Sequence, residues 1–466
     1  MISVSLSWVA DQLQGKLCGE DKTIKGVSTD TRTIEAGDLF IALTGPNFNG
    51  HRFVDVAEQN GASALVVSEP VETSLPCIQV KDTRVALGRL GAAVKAKVAP
   101  KTIAITGSSG KTTVKEMVAS ILSRKGKVLA TSGNFNNDIG VPLTLLRLKK
   151  KHKYAVIELG ANHIGEIAYT TELVKPDVAT VLNAAAAHLQ GFGSLLGVAR
   201  AKSEIFNGLG ENGVAILNAD SQFHDFWAGK LNHLKHVQRF SMQAGFDYSA
   251  RNIQMQADGC ASFEMQTPQG TAFVNLVTPG IHNVTNALTA AALSMAVGAT
   301  LEDVQLGLEN MIQVKGRLNV RTLTNQVRLI DDTYNANVSS VKAAIDLLAN
   351  YTGRRILILG DMGELGDKAR FYHEQVGEYA KQAGLDNLFT LGVLSQHASI
   401  VFNGNGQHFS SVEELVAHLE QQVAAEYKDI SILVKGSRSA RMERVVEAIE
   451  VSSVGKLEHR QESIAC

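Results

Sequence analysis

A chain of 466 residues exceeds one ordinary domain, and its 45% hydrophobic and 20% charged residues suit several buried cores. A net charge of −1 excludes a global attraction to nucleic acid or anionic lipid, and no apolar stretch is long and uncharged enough to span a membrane. Without a signal-peptide pattern, and with Cys18, Cys77, Cys260 and Cys466 in no metal-ligand or redox spacing, the expectation is a cytoplasmic protein with reduced thiols.

Three regions separate by pattern. The first, residues 1–83, alternates short apolar runs (39–43, 64–67 and 78–80) with turns, as a small α/β unit does. A helix is expected over 84–98, opening the second region, 84–314. There the apolar runs at 102–105, 155–157, 178–182 and 214–217 suit parallel strands covered on both faces. Between about 237 and 277 the pattern changes to alternation, with turns at Asp258-Gly259 and near Pro268 and Gly270, and an antiparallel insert is expected. A helix over 283–297 closes the region. The third region, 315–466, has apolar strands entering Asp331-Asp332, Gly360-Asp361 and Lys435-Gly436, and Val341, Ala344, Ile345 and Leu348 fall on one helix face. This reads as a second doubly wound, Rossmann-like sheet. The basic run Lys149-Lys150-Lys151-His152-Lys153 reads as a solvated loop.

Chemistry concentrates at strand ends. Between the 102–105 run and a helix pattern over 114–123 stands Thr106-Gly107-Ser108-Ser109-Gly110-Lys111-Thr112-Thr113. A glycine turn between strand and helix presents backbone N–H groups to an anion, with Lys111 in reach of phosphates and Thr112 able to face Mg²⁺. The spacing falls short of the full Walker A pattern, because Ile105 stands where its first glycine belongs. Glu158, at the end of the next strand, is placed as a metal ligand would be. His188 follows the strand after that and reads equally as a second ligand or a surface residue. Lys202 shares a helix face with Val198 and Ile205; such lysines mostly snorkel to water, whereas a buried one would be neutral and nucleophilic, even toward CO₂. Asp332 and Lys435 sit at strand ends of the third region, where ribose and phosphate contacts are made. With the P-loop they suggest a nucleotide held between two domains.

These motifs in combination resemble the Mur ligase family, ATP-dependent amide ligases that build the peptidoglycan precursor. The resemblance rests on Thr-Gly-Ser-Ser-Gly-Lys-Thr (106–112), Ile-Glu-Leu-Gly-Ala-Asn-His (157–163), Ala-Lys-Ser-Glu-Ile-Phe (201–206), Gly-Ile-His-Asn-Val-Thr-Asn-Ala (280–287), Gly316-Arg317 and Asp332-Thr333-Tyr334-Asn335-Ala336-Asn337, and spans all three regions. Three further motifs, Ser28-Thr29-Asp30-Thr31-Arg32, Asn134 to Gly140 and Gly360 to Gly366, resemble the member that joins D-alanyl-D-alanine to UDP-N-acetylmuramoyl-tripeptide. The Asp-Asn-Pro-Arg signature of the member adding the third residue is absent. That enzyme and the folylpolyglutamate ligases are the alternatives within the superfamily. A P-loop kinase or GTPase would need the full Walker A spacing or an Asn-Lys-x-Asp motif, and neither occurs.

The resemblance implies a role for each matched residue. Ser28, Thr29, Asp30, Thr31 and Arg32 belong to the uridine diphosphate sugar pocket, with Asn137 also on the substrate side. Gly107, Ser108, Ser109, Gly110, Lys111, Thr112 and Thr113 hold ATP phosphates. Thr112, Glu158, His188 and Lys202 are the Mg²⁺ ligands, with Lys202 carbamylated by CO₂. Asn286 and Arg317 contact the nucleotide and Asp332 its ribose, while Asn335, Asn337, Lys435 and Ser437 face the site from the third domain. Because the site is split between domains, the third domain is expected to close on the second, and a monomer is expected.

Overall fold

The computed structural model describes residues 1–185, 189–324, 326–424 and 429–455. Three sheets organise them. In the first, Lys16–Cys18, Cys77–Gln79, Ala64–Val67, Asp38–Ile41 and Gly26–Ser28 lie side by side in that order, parallel except at the Lys16–Cys18 edge. Its central strands are covered on both faces, which is why they read as unbroken apolar runs. Phe40 and Ala42 pack with Val54, Ala57, Leu65 and Val67 on one side. Leu39, Ile41 and Leu43 turn to the other, into a core shared with Leu87, Leu90 and Val94 of helix Thr83–Val98 and with Val141 and Leu145.

The second sheet has nine strands. Lys127–Ala130, His152–Glu158, Lys101–Thr106, Val178–Val181, Val214–Asn218, His236–Ser241 and Tyr248–Met255 pair in parallel, and Cys260–Thr267 and Gly270–Pro279 extend the edge antiparallel. The expected antiparallel segment is present and extends the main sheet; only its start is corrected, because His236–Ser241 pairs parallel with its predecessor. Alternation appears there because this end of the sheet has one solvated face: Arg251, Asn252, Gln254 and Met255 are exposed, while Ala261, Phe263 and Met265 are buried under helix His282–Ala296.

Lys101–Thr106 sits where the chain's winding reverses. The following strands are laid down on one side, and then Val178–Val181 on the other. Ligands bind at such switch points, beyond the carboxyl ends of the strands. The register aligns Ile105 with both Glu158 and Thr180, so the loop after Thr106 opens between Glu158 and the residues following Val181.

The third sheet runs Asn319–Thr322, Val327–Asp332, Ile430–Lys435, Arg354–Gly360, Asn387–Leu391 and Gly406–Phe409, parallel apart from its first strand. Asp332 and Lys435 fall opposite each other in register. Helix Val338–Ala349 buries Val341, Ala344, Ile345 and Leu348 as expected, and Asn337 caps it through the backbone N–H of Ser340. No helix among the described residues is long and apolar enough to cross a membrane.

Candidate active site

The P-loop follows a strand whose side chains are buried from Thr102 to Thr106. Helix Lys111–Ser123 begins immediately after Gly110, and Met117, Val118, Ile121 and Leu122 anchor it beneath the sheet. Two glycines are sterically required. Gly110 has φ +80°, and a Cβ there would lie 2.9 Å from Asn286 Oδ1; a Cβ on Gly107 would lie 2.9 Å from Leu182 Cβ. The loop is thus wedged between the end of strand Val178–Val181 and helix His282–Ala296.

A segment that the sequence reading left out holds this loop in shape. Asn183 Oδ1 accepts from the backbone N–H of Ser108 and of Ser109, both at 3.0 Å, and from Ser109 Oγ at 3.3 Å. Asn183 Nδ2 donates back to Ser109 O at 3.2 Å, and Ser108 Oγ accepts from the N–H of Ala185. Its signal was available, since Asn183 follows a strand's carboxyl end just as Glu158 terminates one. Charged residues stand out at such an edge in a sequence, and a carboxamide does not.

Behind the loop lies a buried polar cluster. Glu158 is 2% exposed; its Oε2 accepts from Thr112 Oγ1 at 3.0 Å and its Oε1 from Asn136 Nδ2 at 2.9 Å. Asn136 is a second omission, for the expected Asn137 spends its Oδ1 on the N–H of Gly140, at the start of helix Gly140–Leu146. Lys111 Nζ donates to Gly107 O at 2.8 Å. Burial lowers its pKa, the Glu158 carboxylate opposes that, and Arg317 adds a smaller push downward. Lys202 is 2% exposed and does not reach water along its apolar stripe, which corrects the snorkelling reading. Its pKa lies well below the usual lysine range, first because it is buried and then because Lys111 is near, with Glu158 opposing. One carboxylate therefore serves two buried amines. His188 lies outside the described residues.

Residues of the third sheet complete the enclosure. Arg317 Nη2 donates to Thr112 Oγ1 at 3.0 Å, and its guanidinium lies 4.2 Å from the centre of the Tyr334 ring. Asn337 Nδ2 donates to Ser108 O at 3.3 Å, so the residue that caps one helix also touches the P-loop. Lys435 Nζ bridges Asp332 Oδ2 at 2.5 Å and Asn335 O at 2.9 Å in a buried pair. Between these groups and the P-loop is a cavity of about 270 Å³. Ser108, Ser109, Gly110, Lys111 and Thr113 line one wall, and Arg317, Asp332, Asn335, Asn337 and Lys435 another. Asn286, with Asn283 and His282, closes the third side, and burial lowers the pKa of His282.

Ser437 and the Ser28–Arg32 turn lie away from both this cavity and the buried cluster behind the loop. Ser437 is buried beside Ser439, its N–H donating to Asp361 O. The Ser28–Arg32 turn belongs to the first sheet, where Ser28 Oγ bridges the N–H and C=O of Asp30. Arg32 grips Asp30 through Nε and Nη2 and holds its carboxyl down to about 2. Thr29 is half-buried beside it, and Thr31 O accepts from Asn60 Nδ2. Helix Gly140–Leu146 packs on strand Gly26–Ser28, which ties this turn to the central unit.

Glu158 and Thr112 offer hard oxygens side by side, as Mg²⁺ requires. Lys202 offers nitrogen, a poor partner for that ion, and fits once its amine carries a carboxylate.

Comparison with known proteins agrees along the whole chain. Residues 23–104 match the Mur ligase family catalytic domain, 105–294 the Mur ligase middle domain and 316–438 the Mur ligase glutamate ligase domain. UDP-N-acetylmuramoyl-tripeptide--D-alanyl-D-alanine ligase of Escherichia coli (strain K12) is 52% identical over 97% of this chain and 99% of its own. A crystal structure of MurF from Acinetobacter baumannii superposes with a TM-score of 0.91 at 39% identity, covering 96% of this chain and 99% of that one. MurF ligase from Thermotoga maritima in complex with ADP gives 0.81 at 26% identity, covering 91% and 97%. The chain belongs to the Mur ligase family.

Proposed function

We propose that this protein is an ATP-dependent amide ligase that joins D-alanyl-D-alanine to the carboxylate of UDP-N-acetylmuramoyl-tripeptide in peptidoglycan precursor synthesis. The observation that carries the reading is the 52% identity, over nearly the full length of both chains, to a relative bearing that name. In this reading residues 1–83 bind the uridine diphosphate sugar through Ser28–Arg32. Residues 84–314 bind ATP, and residues 315–466 close on it and receive the dipeptide. In this reading the enzyme is a monomer working in the cytoplasm.

A carboxylate is too poor an electrophile for an amine, so its oxygen first attacks the γ-phosphorus of ATP, giving an acyl phosphate and ADP. Both reactants are anions. Two unit charges 4 Å apart repel by about 4 kcal/mol at an effective dielectric near 20, or roughly three decades in rate. Lys111, the P-loop N–H groups and Arg317 offset that repulsion with fixed positive charge. The dipeptide's amine then attacks the acyl carbon, forming a tetrahedral oxyanion that expels phosphate and leaves the amide. Thr112, Glu158, His188 and a carbamylated Lys202 would hold Mg²⁺, whose charge screens the phosphate oxygens. For Lys202 to take that role its neutral amine attacks CO₂ and loses a proton, which changes a competing cation into an anionic oxygen donor. The test is product mass. With ATP and both partners, UDP-N-acetylmuramoyl-tripeptide should gain the dipeptide less one water; recovery of unchanged tripeptide would overturn the assignment.

A further inference from the structure

Cys18 and Cys77 are far apart in sequence, yet they are directly opposite partners where the antiparallel pair Lys16–Cys18 and Cys77–Gln79 ends. Facing residues of such a pair have Cα atoms about 4.5–5.5 Å apart, inside the span of about 4.4–6.8 Å that a disulfide bridges. Both thiols are free and partly open to solvent, and burial, with the Cys18 thiol beside it, raises the pKa of Cys77. The chains stay close just beyond them: Gly19 has φ +106°, and a Cβ there would lie 3.0 Å from Pro76 Cα. Lys16–Cys18 is the outer strand of its sheet, so a small oxidant can approach. Cys260 lies on another sheet, and burial pushes its thiol up to about 12.

We propose that Cys18 and Cys77 form a thiol-oxidation site that closes to a cross-strand disulfide when it meets a low-molecular-weight disulfide. The thiolate of one cysteine attacks a sulfur of the oxidant, forming a mixed disulfide and releasing one thiol. The second cysteine, as thiolate, attacks the protein sulfur of that mixed disulfide and releases the other thiol. The protein loses two protons and two electrons, and the oxidant is reduced to two thiols. Ligase activity is expected to survive closure, because Gly26–Ser28, which leads into the Ser28–Arg32 turn, is the opposite edge of the same sheet.

The full chain is incubated with oxidised glutathione, alkylated with N-ethylmaleimide at mildly acid pH to suppress exchange, and digested without reductant. The expected result is a single linked peptide pair containing Cys18 and Cys77, an intact mass lower by two hydrogens, and a melting temperature that rises and falls back with dithiothreitol. In Cys18→Ser the linked pair is absent and Cys77 carries glutathione instead. Recovery of Cys18 and Cys77 as alkylated thiols, as separate glutathione adducts, or joined to Cys260, Cys466 or a second chain would overturn the proposal. Because this readout needs no catalysis, it stands or falls independently of the ligase assignment.

Discussion

Asn183 takes the N–H groups of Ser108 and Ser109 to fix the P-loop backbone, so that the loop's remaining N–H groups keep the direction that phosphate binding needs. Asn183→Ala leaves the amides without that template. We expect KM for ATP to rise about tenfold, near 1.4 kcal/mol, with KM for the dipeptide unchanged. Steady-state kinetics with each substrate varied separately check this, and equal rises in both would point to general unfolding instead. Lys202→Ala removes the side chain proposed to carry the carbamate. Activity should fall at least about a hundredfold and partly return with added short carboxylates, which supply the missing oxygen donor. Unchanged turnover would remove the carbamate from the mechanism. Glu158 was legible in the sequence because an acid ending an apolar strand is conspicuous. The burial of Lys202 was not, because spacing places it on an apolar stripe without saying what covers that stripe.

The P-loop is only as fixed as the helix behind it. Helix Leu301–Glu309 packs on helix Lys111–Ser123 so closely that a Cβ at Gly307 would lie 2.5 Å from Ile121 Cα. Gly307→Ala must push the two apart, and a loss of about 1–3 kcal/mol is expected, read as a lower midpoint in chemical denaturation. An unchanged midpoint would mean that the contact relaxes freely. At this scale the buried parallel strands and the helix over 338–349 were readable, for each carries a strong period. Helix Ala369–Gln382 was not, because it buries only His373, Val376, Gly377 and Ala380 and leaves mostly polar residues to carry the pattern. The parallel pairing of His236–Ser241 was hidden too, since alternation reports one solvated face and says nothing of strand direction.

Across the whole molecule, the direct hydrogen bonds from the third unit to the P-loop are polar: Arg317 to Thr112 and Asn337 to Ser108. Tyr351 Oη adds one to Asp258 O on the antiparallel edge of the central sheet. Polar interfaces of this kind permit domain motion, and the site is complete only when they form. Small-angle scattering should therefore show a smaller radius of gyration with ATP, tripeptide precursor and dipeptide than without them; identical curves would contradict closure. Three units were visible in the sequence from changes of pattern. The apolar core joining the first two was not, because Leu39 and Ile41 meet Leu87 and Leu90 only after both sheets have formed. The most direct test of the amide-ligase assignment is phosphate release from ATP with the tripeptide precursor and D-alanyl-D-alanine varied separately. We predict sustained release only when both are present, one phosphate per amide formed; steady release without the dipeptide would contradict it.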